Sequence, residues 1–143
     1  MVEPKDLLGA WKIEGWEISY SDERPSTFPF GKNPTGLILY TPDGYMSATI
    51  SRSDRSLMSD SNTRRAPDSE KAVSFDSYFH YSGTWRIEGN EVIHTVQHSL
   101  DPHFVGTDQV REMDYSGDVL VLGAEITTKT GAQMNNRITW RRP

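Results

Sequence analysis

The chain of 143 residues carries 15 Lys and Arg against 20 Asp and Glu, a formal charge of −5, and no cysteine. That length fits one domain, 1–143, large enough to bury a core without a metal or disulfide. The acidic balance weighs against nucleic acid and anionic membranes as partners, because the only basic clusters, Arg64-Arg65 and Arg141-Arg142, are too short to track a phosphate backbone.

From the N-terminus, Met1 to Asp6 show no basic start and no apolar run of signal-peptide length, and no stretch is apolar enough to span a bilayer, which predicts a cytoplasmic protein. Pro4 to Leu8 reads as one helical turn that plugs an end of a β-barrel. Strands are expected near 11–20, 36–41, 45–52, 78–87, 91–99, 108–115, 119–126 and 134–142, where β-branched and aromatic residues are separated by Pro42-Asp43-Gly44, Glu88-Gly89-Asn90 and Ser116-Gly117-Asp118. In the first strand Trp11 and Ile13 alternate, and then Trp16, Ile18 and Tyr20 do so in the opposite phase, which predicts a β-bulge at Gly15.

Two connections are long. Residues 21–35 hold three prolines and cannot be a central strand, and in residues 53–77 Pro67 opens a short helix with acids in its first turn. Such loops act as lids when ordered, and disorder is an equal reading for 53–65. Eight meander-connected strands remove their edges most simply by closing, so the expected fold is all-β: an eight-stranded antiparallel up-and-down barrel with a short helical turn at its start and one short helix in a long loop.

Three groups of residues resemble a known family. Leu8-Gly9-Ala10-Trp11 is similar to the G-x-W opening of lipocalins, and Trp140-Arg141-Arg142 to their closing strand, whose arginine commonly lies over that tryptophan. Pro29-Phe30-Gly31, the run Gly36 to Ala48, and Val105-Gly106-Thr107-Asp108-Gln109-Val110-Arg111 look, in that order and spacing, like the bacterial and fungal lipocalin-like domain family, a calycin-type barrel. The resemblance implies a ligand-carrying architecture. It also implies that relatives sit in natural-product pathways, where related small barrels act as cofactor-free isomerases or cyclases.

A barrel of eight strands is just wide enough to hold one small ligand, and alternation decides which side chains face it. On 91–99 the face carrying Val92, His94, Val96 and His98 is expected inside. On 108–115, Gln109, Arg111 and Met113 are expected inside because the opposite face is acidic. His94, His98 and Arg111 are therefore the candidate catalytic residues, with histidine suited to moving protons and arginine to holding an oxyanion. The bland reading is that each is a satisfied core or rim residue. In the resemblance, His94 and Arg111 fall where the family has similar residues, and His98 does not.

Tyr40 and Tyr45, which flank the first tight turn, and Tyr78, His80 and Tyr81 on the strand after the long loop offer polar handles; Tyr78 and His80, which share a face, are preferred over Tyr81 as candidate ligand contacts, with Gln109 and Met113, and ordinary strand packing is the alternative for the aromatics. Asp101, His103 and His98 match no common zinc spacing, so no metal is expected. With no Gly-rich phosphate loop and no G-x-S-x-G elbow, no cofactor is expected either.

Two functional readings are open. In the first, the barrel binds a small, mostly apolar organic molecule. In the second, it is a cofactor-independent isomerase, cyclase or lyase acting on a carbonyl compound, with His94 as acid/base and Arg111 as stabiliser. A weaker reading is docking through Phe28-Pro29-Phe30, with which a homodimer is compatible.

Overall fold

Each expected hairpin forms. The computed structural model describes residues 1–143. Its eight strands are β1 (Gly9–Tyr20), β2 (Thr35–Tyr40), β3 (Tyr45–Ser51), β4 (Tyr78–Glu88), β5 (Glu91–Ser99), β6 (Asp108–Ser116), β7 (Val119–Thr127) and β8 (Gln133–Arg141). Each pairs antiparallel with its sequence neighbours, and β8 returns to pair with β1, so the barrel is closed and no strand edge is left unpaired. Strand ends lie within two residues of those expected. Gly89, at φ 59°, occupies the left-handed conformation that the two-residue β4–β5 turn requires.

Register fixes the two ends of the barrel. Gly9 lies opposite Tyr40 and Val119 opposite Arg141, so the β2–β3, β4–β5 and β6–β7 turns gather around the N-terminal helix α1 (Pro4–Leu7). The Glu3 amide donates to Asp6 Oδ2 at 2.8 Å, which fastens the first turn of α1. Leu7 is fully buried, and Trp11 Nε1 donates to its carbonyl at 3.0 Å. The Arg142 guanidinium lies 3.7 Å from the Trp11 ring centroid and donates to the carbonyls of Ala10 and Asp6. This stack closes one end and joins the first strand to the last, as the resemblance implies.

The two long connections and the turn carrying Phe104 sit at the opposite end. In the longer one a second helix, α2 (Asp68–Asp76), follows Pro67 as expected. Residues 53–65 are tied to it: Ser59 donates through its amide and hydroxyl to Glu70, and Lys71 donates to the Arg64 carbonyl.

Two irregularities set which side chains face inward. Ile13 pairs with Trp140 but Gly15 with Thr139, so β1 carries one extra residue, Glu14, immediately before the glycine where the slip is expected. Its carboxylate pairs with Arg141 on the outer surface. The second bulge is not apparent from the amino-acid pattern. Gly83 pairs with Val96 but Ser82 with His98, leaving Gln97 as the extra residue of β5. Gly83 permits it: a Cβ there would lie 1.9 Å from the Thr95 carbonyl oxygen.

Candidate functional site

Above the closed end the lumen is not filled. A cavity of about 170 Å³ remains, ringed mostly by apolar side chains from nearly every strand. Ile38, Ala48, Ile50, Leu122 and Ile138 form its walls, and Trp16, Phe79 and Trp140 supply flat aromatic surface. Phe104 reaches it from the 3₁₀ turn Pro102–Phe104, packing against Phe79 at 5.4 Å and Tyr81 at 6.3 Å between ring centroids. No residue of 52–77 lines this cavity. The side chain nearest to a lid comes from the short loop and not from the long one.

Polar groups enter this apolar ring at four places. His94, on β5, is 1% exposed. Both its nitrogens are engaged, Nε2 with Tyr40 Oη and Nδ1 with Tyr81 Oη, each at 2.7 Å. Burial, aided by the charge of Arg111, holds the imidazole neutral and brings its pKa down to about 3. Burial likewise pushes the Tyr81 phenol up to about 12, against a smaller opposite pull from Arg111, and raises Tyr40 well above its ordinary value. All three groups are therefore uncharged at neutral pH.

Arg111 lines the cavity from β6 with no carboxylate in ion-pair range. Its guanidinium donates to the Val110 carbonyl at 2.8 Å and to Gln109 Oε1 at 3.2 Å, and Gln109 is itself anchored on Thr107 Oγ1. Asn136 accepts the Trp16 indole N–H through Oδ1. The Trp140 indole N–H is buried and has no partner.

Of the sequence-nominated residues, the fold brings His94, Tyr40 and Arg111 together, with Gln109 behind Arg111. Met113 is buried but belongs to the core and not to the cavity wall. Four residues expected at the lumen lie outside it. His98 is exposed because the extra residue Gln97 reverses the alternation of β5 just before it. Tyr78 and His80 take the outer face of β4, Tyr78 beneath the Arg55 guanidinium at 5.3 Å and His80 Nε2 3.0 Å from Ser47 Oγ. Tyr45 is 52% exposed beside its turn.

On β4 the cavity takes Phe79, which the sequence reading misses, and Tyr81, which it ranks below Tyr78 and His80; both share a face with Gly83 and Trp85, a more apolar set than Tyr78, His80, Ser82 and Thr84. That contrast was the available signal. Asn136 shares the parity of Ile138 and Trp140 on β8, which places it inside. For Phe104, which lies in a turn, no periodic signal existed.

Comparison with known proteins fits this architecture. The lipocalin-like domain family matches residues 8–143. The chain belongs to that family. A curated relative of this lipocalin-like protein is the 4′-hydroxy-3′-methoxypropiophenone carrier protein ppsC of Aspergillus oryzae, 31% identical over 84 residues that span 52% of this chain and 76% of the relative. Among solved structures, an uncharacterized protein from Bacteroides eggerthii aligns over 92% of this chain and 98% of its own, at 10% identity and a TM-score of 0.41.

Proposed function

We propose that this lipocalin-like barrel is a carrier that holds one small, mostly apolar organic molecule in the cavity beneath Phe104. The observation that carries the reading is the cavity itself: about 170 Å³ of apolar, aromatic-lined space left open in a barrel whose other end is tightly filled. The relative described as a propiophenone carrier supports the same reading for an aromatic guest.

The isomerase or cyclase reading makes His94 the acid/base. With both nitrogens bonded to tyrosine hydroxyls and the imidazole held neutral, His94 presents neither a lone pair nor an N–H to a guest. The carrier reading needs only that His94 organise the tyrosines. It asks for no proton transfer.

The test is saturable binding. Propiophenone is titrated while the fluorescence of Trp16 and Trp140 is followed. One-to-one quenching is expected, and Ala48→Phe, which fills the cavity, should abolish it while circular dichroism stays unchanged. Quenching that persists in Ala48→Phe would move the binding elsewhere. Native mass spectrometry of protein from its own host should show a co-purifying small molecule, and conversion of that molecule by the wild type would overturn the carrier reading.

A further inference from the structure

We infer that the cavity selects guests by an acceptor oxygen, best an oxyanion such as a carboxylate or phenolate, because most of the unspent hydrogen-bonding capacity of its wall is donor capacity. This rests on the binding reading above and adds the chemical class of the guest.

At His94 the hydrogen bonds can be assigned a direction. A neutral imidazole has one N–H and one lone pair, so of the two tyrosine hydroxyls at 2.7 Å one donates and the other accepts. Tyr40 is 1% exposed and has no hydrogen-bond partner besides His94. Were Nε2 to carry the proton, the Tyr40 O–H would be buried without an acceptor, which is strongly unfavourable. Tyr40 therefore donates to Nε2, and Nδ1–H donates to Tyr81 Oη. Tyr81, unlike Tyr40, borders the cavity, so its own O–H is left over on the cavity side of the relay.

The other polar groups point the same way. The Trp16 indole is only a donor, so the Asn136 atom facing it is the amide oxygen, and the Asn136 NH₂ remains unspent at the cavity wall. The Trp140 N–H also lacks a partner, but it is fully buried at the level of Ile13 and Leu120, next to the closed end, and is out of a guest's reach. Arg111 has five N–H donors, of which two are used on Val110 and Gln109, leaving three. Against these donors the wall offers only the spare lone pairs of Tyr81 Oη and Asn136 Oδ1.

Arg111 is also the single charged group of the wall, so one negative charge on the guest neutralises the site. Gln109, held on Thr107, keeps the guanidinium from swinging away. Together these features describe a pole that takes oxygen and rejects ammonium, facing a belt of Trp, Phe and Ile side chains that takes a ring or short chain.

The experiment uses three probes on one frame, 3-phenylpropanoate, 3-phenylpropan-1-ol and 3-phenylpropylamine, measured by isothermal titration calorimetry at pH 7. The carboxylate should bind at least ten-fold tighter than the alcohol, and the ammonium should bind weakest. Arg111→Met should remove the carboxylate's advantage over the alcohol, and Tyr81→Phe should weaken both several-fold with the fold retained. Nitrogen-15 spectra of His94 should show the proton on Nδ1. Equal binding of carboxylate and ammonium, or a proton on Nε2, would overturn the inference while leaving the carrier reading standing. Binding of none of the probes would overturn both.

Discussion

The barrel holds two arginines at different levels of its lumen, Arg142 at the closed end and Arg111 in the cavity wall, and their surroundings are built differently. At the closed end Trp11 Nε1 donates to Leu7, and Arg142 covers the indole while donating to Ala10 and Asp6. In the open half, Arg111 lines a mostly apolar cavity without an acid, held by the Val110 carbonyl and Gln109. Each guanidinium makes two hydrogen bonds, yet Arg142 is capped by an aromatic ring whereas Arg111 borders a cavity. The difference is what lies over each guanidinium: protein at the closed end, and at Arg111 the space in which a guest is proposed to sit.

Five changes would break or sharpen that contrast. Trp11→Ala should destabilise the fold most, by about 4 kcal/mol in urea denaturation, because it empties a fully packed site and unseats Arg142. His94→Leu should cost about 3 kcal/mol, since two buried hydroxyls lose their shared partner. The same variant tests pH dependence. Between the ordinary histidine range near 6.5 and about 3, the unfolded chain takes up a proton that the folded His94 refuses, so wild-type stability falls as pH drops through that window. Removing His94 should flatten the slope by up to about 1.4 kcal/mol per pH unit. Wild-type and variant slopes that coincide would show that His94 is not held neutral.

Third, Arg142→Met should cost about 2 kcal/mol through its lost ring contact and charged hydrogen bonds. Arg111→Met should leave the urea midpoint unchanged or raise it, because it removes a half-buried cation with no acidic partner. Equal destabilisation by both would erase the distinction between the two ends. Smallest is Arg86→Ala on the outer surface, where exposed pairs with Glu88 and Asp108 should leave no measurable mark on the midpoint.

Legibility in the sequence divides along the same line. The Trp11–Arg142 seal, the bulge beside Gly15 and the eight strands were all readable, because each depends on local alternation, turn residues or a matched motif. His94 and Arg111 face inward as the same alternation predicts, and Tyr40, singled out only for its place beside the first tight turn, joins them. His98 failed because one extra residue, Gln97, inverts the phase, and the only sign of it is a glycine on the neighbouring strand, Gly83, where a side chain would collide with the Thr95 carbonyl. Tyr78 and His80 failed for a different reason. The polar, chemistry-bearing face of β4 was favoured over the apolar face that a closed barrel buries.

By itself, then, the sequence determined the meander, the closure and most of the side chains that face the lumen, since strand period and turn chemistry are local properties of the chain. Only the tertiary structure decided that the lumen stays open above Trp11 and that His94 is locked between two tyrosines from β2 and β4. It also decided that Arg111 and Asn136 reach the cavity wall with unspent donors. Those outcomes depend on how side chains from all eight strands divide one interior volume, and no single stretch of sequence contains that sum.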